Sequence, residues 1–316
     1  MQNLIFLLIG FIPLIYGANF LVDGSSSLAK KFNIPNIVIG LTVVAFGTSA
    51  PELIVNVFSS LQKTSDITMG NIIGSNIFNI AVILGVTSVL KNLNVKTSTT
   101  WKEIPMALMA VVLVVIMIND VTIDKNKISE LSRIDGMVLI SFFIIFLSYT
   151  LSIVKSGKSE EKIEIKEYTV LKSSMLTILG FAMLVIGGKV IVIFAVKLAK
   201  SMDISERIIG LTIVSMGTSL PELATSISAA LKNNVDIAIG NVVGSNIFNI
   251  LFVLGISSII YPIPLLDGVN LDIALNISLN LLLFLFVFSG KGRKVERWEG
   301  IFFIMIYILY LAYLIY

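Results

Sequence analysis

The stretch that decides the fold is Gly47-Thr48-Ser49-Ala50-Pro51-Glu52, a polar hexapeptide with a carboxylate and a proline inside an otherwise apolar segment. Nearly the same hexapeptide, Gly217-Thr218-Ser219-Leu220-Pro221-Glu222, returns 170 positions later. Working outward, the match continues at the same offset. Gly10, Gly17 and Gly40 meet Gly180, Gly187 and Gly210. Downstream, Gly70-Asn71-Ile72-Ile73-Gly74-Ser75-Asn76-Ile77-Phe78-Asn79-Ile80 meets Gly240-Asn241-Val242-Val243-Gly244-Ser245-Asn246-Ile247-Phe248-Asn249-Ile250. An ungapped match over about 80 residues is the mark of a duplicated architecture.

The chain has 316 residues, of which 56% are hydrophobic and only 14% charged. A soluble domain carries about 25% charged residues, so this composition reads as a polytopic membrane protein. Cysteine and histidine are both absent. That excludes disulfides, thiolate metal sites, zinc-protease motifs and histidine-based triads, and argues against an enzyme. The net charge of +3 is too small to suggest nucleic acid. The first apolar segment lacks a basic leader and a small-residue cleavage site, and reads as a retained span.

A spanning helix needs about 20 mostly apolar residues. Ten stretches qualify: 3–24, 36–61, 69–90, 104–119, 134–154, 173–199, 207–231, 238–261, 271–289 and 299–316. The expected organisation is a first five-helix repeat at 1–154, a solvated cytoplasmic linker at 155–172 and a second five-helix repeat at 173–316. Five is odd, so the second repeat enters the membrane from the opposite side, the inverted topology of secondary transporters. Fifteen Lys and Arg fall in odd-numbered connections against seven in even-numbered ones, counting residues at helix ends. The positive-inside rule then places both termini outside the cell.

A carboxylate at the centre of a membrane helix costs about 3 kcal/mol or more on insertion scales, so two in register call for a function. Positions i, i+3 and i+4 share a helical face, which would set Glu52 beneath Thr48 and Ser49. Pro51 removes an amide donor and should kink the helix, freeing backbone carbonyls near Ala45 as ligands. The same reasoning applies to Thr218, Ser219, Glu222 and the carbonyl of Ser215. Ser75 with Asn79, and Ser245 with Asn249, add donors at i and i+4. Asn71, Asn76, Asn241 and Asn246 are either additional ligands or, the preferred reading, interhelical hydrogen-bonding groups. Gly70 with Gly74, and Gly240 with Gly244, allow close helix approach. All the candidate ligands are hard oxygens, suited to Ca²⁺ and Na⁺. Two carboxylates are neutralised by one Ca²⁺ or by two Na⁺, which is what exchange requires.

These residues carry a family resemblance. G-T-S-x-P-E followed by G-N-x-x-G-S-N-I-F-N, twice, resembles the two repeats of the calcium/cation antiporter superfamily, and most of all its prokaryotic sodium/calcium exchanger branch. The resemblance covers residues 10–88 and 180–258. It implies a ten-helix fold whose spans two, three, seven and eight form the ion-binding core. It implies that Thr48, Ser49, Glu52, Ser75, Asn79, Thr218, Ser219, Glu222, Ser245 and Asn249 line the sites. It also implies that spans one and six slide across that core, with Gly10, Gly17, Gly180, Gly187 and Gly188 forming the sliding surface.

Several relatives, including the potassium-dependent branch, carry Asp where this chain has Asn249, so no potassium requirement is expected. The expected activity is alternating-access antiport in a plasma membrane, Ca²⁺ leaving as Na⁺ enters, with three Na⁺ per Ca²⁺ as the family ratio. A proton-coupled divalent-cation antiporter and a cation channel remain as alternatives. No cofactor is expected, and nothing in the sequence calls for a protein partner beyond the lipid bilayer and the two ions.

Overall fold

The structure is a computed structural model describing residues 2–63, 65–123, 125, 128–155, 166–200, 215–265, 268–289 and 292–315. It is an all-α polytopic membrane protein of ten helices in two inverted repeats. Helix α1 is Gln2–Lys31. Helix α2 has two pieces, Asn36–Thr48 and Ala50–Leu61. Helix α3 runs from Ser65–Phe78 through a π-helical stretch at Asn79–Leu84 into Gly85–Leu90. Helices α4 and α5 are Thr99–Ile118 and Arg133–Lys155.

In the second half, α6 is Val170–Lys200. Helix α7 comprises Ser215–Thr218 and Leu220–Leu231. Helix α8 is Val235–Ile247, a π-helical stretch at Phe248–Leu254, and Gly255–Ile260. Helices α9 and α10 are Val269–Phe286 and Arg297–Ile315. Every expected span therefore meets a helix. Residues 207–214 of the seventh span and 156–165 of the linker lie outside the described residues. The fourth span, short by hydropathy, is lengthened at its start by a π-helical turn at Thr99–Glu103.

Among the described residues, eight helices are long and apolar enough to cross a membrane, and the bent α2 pair makes a ninth. Burial separates their roles. In the most apolar windows of α3 and α8, 78% of residues are buried, against 22% in α5 and α10. So α3 and α8 form the centre, while α5 and α10 face lipid.

The two repeats interlock. Helix α5 packs on Gly255–Ile260 of α8, and α10 packs on Gly85–Leu90 of α3. Short antiparallel strands stitch the same seams. Strand β1, Leu93–Asn94, pairs with β4, Lys294–Val295. Strand β2, Glu130–Leu131, pairs with β3, Ile263–Pro264. Each pairing satisfies backbone groups where the chain leaves its helix, which apolar surroundings demand.

The glycines expected to form a sliding face do something else. Helices α1 and α6 lie against each other, and Gly17, Gly180 and Gly187 are where their backbones touch. A Cβ at Gly180 would sit 2.5 Å from Leu21 N, and one at Gly187 2.7 Å from Leu14 N. A Cβ at Gly17 would lie 2.8 Å from Gly180 O. Gly10 likewise faces Ile191. These four glycines join α1 to α6. Gly188 alone of the five looks toward α7, with Pro221 Cγ at 3.7 Å from its would-be Cβ.

Candidate cation site

Each hexapeptide breaks its helix at the serine. Ser49 has φ −84° and ψ 8°, and Ser219 has φ −89° and ψ 6°. Both lie near the sparsely populated bridge region. The two pieces of α2 meet at 48°. Pro51 and Pro221 then fall in the first turn of a new helix, where a missing amide hydrogen costs nothing. The sequence suggested a proline kink in a continuous helix with freed carbonyls. Instead the Ala45 carbonyl accepts the Ser49 amide at 3.0 Å and the Thr48 hydroxyl at 3.4 Å. The Ala45 carbonyl thus stays hydrogen-bonded through the break and could serve a cation only in addition to those bonds. In the second copy, Ser215 opens the helical turn and the Ser219 amide reaches Met216 O at 3.2 Å.

The break also overturns the expected pairing of hydroxyl and carboxylate. Glu52 does not use its own helix's serine. Ser49 Oγ donates to Glu222 Oε1 at 2.7 Å, and Ser219 Oγ donates to Glu52 Oε1 at 3.0 Å. Each repeat's serine holds the other repeat's glutamate. The threonines follow the same rule. Thr48 Oγ1 donates to Asn241 Oδ1 at 3.1 Å, and Thr218 Oγ1 to Asn71 Oδ1 at 3.3 Å. Ser75 Oγ adds a long contact of 3.5 Å to Glu52 Oε1.

The asparagines brace α3 against α8. Asn76 Nδ2 donates to Asn246 O at 3.1 Å, Asn79 Nδ2 to Asn246 Oδ1 at 2.9 Å, and Asn249 Nδ2 to Asn76 Oδ1 at 3.1 Å. Interhelical bonding is therefore the role of Asn71, Asn76, Asn241 and Asn246 in this structure. Gly240 and Gly244 bring α8 onto α2; a Cβ at Gly244 would lie 2.8 Å from Leu41 Cα. No such contact forms at Gly70 among the described residues.

Glu52, Glu222, Ser49, Ser219, Ser75, Ser245, Thr48, Asn79 and Asn249 are all buried, as is Thr218. Five side-chain oxygens among them have no hydrogen-bond partner: Glu52 Oε2, Glu222 Oε2, Asn79 Oδ1, Asn249 Oδ1 and Ser245 Oγ. Ser245 lies near the Glu222 carboxylate. Burying a polar oxygen without a partner costs about 1–3 kcal/mol, and more for a charged one. The asparagine amides spend their nitrogens on the brace and leave oxygens over. The serine hydroxyls spend their protons on the carboxylates and keep their lone pairs. The result is a set of oxygens with negative or partial negative charge. Among the described residues, Glu52 and Glu222 form no larger cluster with other acidic groups.

Two residues of this cluster escaped the sequence reading. Asn56 Nδ2 donates to Glu52 O at 2.6 Å, and Asn241 Nδ2 donates to Ser226 Oγ at 2.9 Å and Glu222 O at 3.2 Å. Asn56 and Ser226 stand four residues after the glutamates, so helical spacing was the signal that could have found them.

Inverted five-helix repeats that cross-pair two buried carboxylates define a membrane transporter of the cation class. The chain belongs to the sodium/calcium exchanger protein family, which it matches over residues 2–152 and 172–316. It is 30% identical over 349 residues to the sodium/calcium exchanger MaX1 of Methanosarcina acetivorans, covering 99% of each chain. It is 37% identical over 309 residues to an uncharacterised membrane protein of Methanocaldococcus jannaschii, covering 97% of this chain and 96% of that one. Among solved structures it superposes on the sodium-calcium exchanger NCX_Mj soaked with Na⁺ and Sr²⁺. The TM-score is 0.84 at 37% identity, covering 98% of this chain and 97% of that one.

Proposed function

We propose that this protein is a secondary antiporter that exchanges Na⁺ for Ca²⁺ by alternating access, with Na⁺ entry driving Ca²⁺ out of the cell. The observation that carries this reading is the set of five unpartnered buried oxygens around two carboxylates held crosswise by Ser49 and Ser219. MaX1 is named a sodium/calcium exchanger, and NCX_Mj has been solved with Na⁺, Ca²⁺ and Sr²⁺. In this reading Glu52 and Glu222 bridge one Ca²⁺, and Asn79, Asn249, Ser75 and Ser245 complete its shell toward the six to eight oxygens it takes. Thr48, Ser49, Thr218 and Ser219, with the carbonyls of Ala45 and Ser215, serve Na⁺ in overlapping positions.

The coupling has an electrostatic origin. Covering two bare carboxylates with apolar helix costs about 2.5–3.5 kcal/mol for each on insertion scales. Bound cations remove most of that penalty, so only a loaded core is readily crossed by α1 and α6. Asn249 is neutral, and the site charge rests on the two glutamates. The distribution of Lys and Arg supports both termini outside the cell, with Lys30, Lys91 and Lys232 on the cytoplasmic face.

The test is ⁴⁵Ca²⁺ uptake into proteoliposomes under an imposed Na⁺ gradient with pH clamped. Uptake that collapses with the Na⁺ gradient is expected. Uptake that needs a pH gradient instead, or that runs without any counter-ion, replaces the reading with proton coupling or a channel.

A further inference from the structure

The two halves of the molecule are related by an offset of 170 residues, yet one seam carries an ion-paired polar ladder whose charges are not repeated at the offset positions. On α1, Asn19, Asp23 and Ser26 lie at i, i+4 and i+7, along one helical face. They meet the end of α7 rung by rung. Ser228 Oγ donates to Asn19 Oδ1 at 3.0 Å. Lys232 Nζ pairs with Asp23 Oδ1 at 2.8 Å and donates to Asn19 O at 2.9 Å. Asn234 Nδ2 donates to Ser26 Oγ at 2.9 Å. The pair is partly shielded, with 30% of the Lys232 side chain and 21% of the Asp23 side chain exposed.

The positions offset by 170 residues hold Lys189, Ile193 and Val196 in the sixth span, and Phe58, Gln62 and Thr64 at and just after the end of the second. Lys189 is the only charged residue of the six, so no ion pair like Asp23–Lys232 can form among them. The packing differs in the same sense. Helix α1 lies along Leu220–Leu231, while α6 has no comparable contact with Ala50–Leu61 among the described residues. Phe58 and Ile193 are exposed.

We infer that Asn19, Asp23, Ser228 and Lys232 form a one-sided latch that holds the cation site shut on the face carrying Lys232, and so set which side the site opens to. The inference rests on the antiport reading and deepens it. The Lys and Arg distribution assigns the latched face to the cytoplasm. The structure is thus closed toward the cytoplasm, and the two directions of opening in a duplicated protein are made energetically unequal by a few polar side chains. Inward opening has to break the ion pair and its hydrogen bonds, whereas the offset positions on the other side supply no ion pair to break.

The chain has no native cysteine, so one introduced thiol reports cleanly. Ile227 lines a crevice of about 310 Å³ between α1 and α7, together with Asn19, Ser228 and Lys232 of the ladder. Ile227→Cys would be placed in full-length protein in vesicles. Its rate of labelling by a membrane-impermeant thiol reagent would be read from the cytoplasmic side. Asp23→Asn and Lys232→Gln should each raise that rate about fivefold, the equivalent of about 1 kcal/mol. The exchanged pair Asp23→Lys with Lys232→Asp should bring it back toward the parent value. Unchanged labelling in the single variants, or no return in the exchanged pair, overturns the latch. Labelling needs no ion flux, so it is separable from the antiport reading, which Na⁺-driven Ca²⁺ uptake by the unsubstituted protein tests on its own.

Discussion

The crosswise pairing of serine and glutamate makes a quantitative prediction that the sequence reading would have reversed. The perturbation is a pair of double-mutant cycles in cation-free detergent–lipid micelles. The first combines Ser49→Ala with Glu222→Gln, the second Ser49→Ala with Glu52→Gln. Ser49 Oγ sits 2.7 Å from Glu222 Oε1, and both residues are buried. A hydrogen bond to a charged group is worth about 1.5–3 kcal/mol against about 0.5–1.5 kcal/mol for a neutral one, and Gln keeps an acceptor, so the first cycle should show coupling of about 1 kcal/mol. Ser49 is three residues before Glu52 on the chain but donates to its counterpart. The second cycle should therefore stay within about 0.5 kcal/mol of additivity. Unfolding free energies measured for the parent, the three single variants and the two doubles supply both cycles. Stronger coupling between Ser49 and Glu52 than between Ser49 and Glu222 would refute the arrangement. The mirror cycle, Ser219→Ala with Glu52→Gln, should behave as the first.

Glu52→Ala and Glu222→Ala should each abolish Na⁺-driven ⁴⁵Ca²⁺ uptake while the protein still elutes as a folded species; robust uptake in either would reject a shared two-carboxylate site. Asn249→Asp places a carboxylate against Asn76 Oδ1, which now accepts from Asn249 at 3.1 Å. Two acceptors cannot bond without a proton or a cation between them, so transport should gain pH dependence or altered Na⁺ competition. Transport curves identical to the parent across pH and Na⁺ would remove Asn249 from the site. Gly180→Ala drives a methyl to within 2.5 Å of Leu21 N and 2.7 Å of Gly17 O, both backbone atoms that cannot swing away. The overpacking should cost about 1–3 kcal/mol, and unchanged unfolding midpoints would show that α1 and α6 do not meet there.

The ten spans and the inverted repeat were legible because hydropathy and self-similarity are properties of the chain alone. The two glutamates were legible for the same reason, as charges duplicated in apolar segments. The partner of each glutamate was not. Spacing along a helix places Ser49 over Glu52, and that inference fails because the helix is interrupted at Ser49 itself. The crossing of Ser49 to Glu222 depends on how two inverted repeats face each other, which no local pattern encodes. The glycines of α1 and α6 illustrate a related limit. Gly17 and Gly180 announce a close approach, but not to which neighbour. The π-helical stretches that begin at Asn79 and enclose Asn249 left no signal at all in composition or period.

The strands that stitch the repeats carry a consequence for synthesis. Leu131 pairs with Ile263, and Leu93 with Val295. The first partners are separated by about 130 residues and the second by about 200. At about 5–20 residues per second, the ribosome delivers Ile263 roughly 7–26 s after Leu131. Until then the helices of the first half sit in the bilayer without the partner strand, and until residue 219 is made without the serine that holds Glu52; the helix that caps α3 comes later still. A half-length nascent chain is thus an unfinished object that the insertion machinery must hold in one piece. Truncation after the fifth helix should leave a protein that is degraded, whereas the two halves made together as separate chains can still find each other.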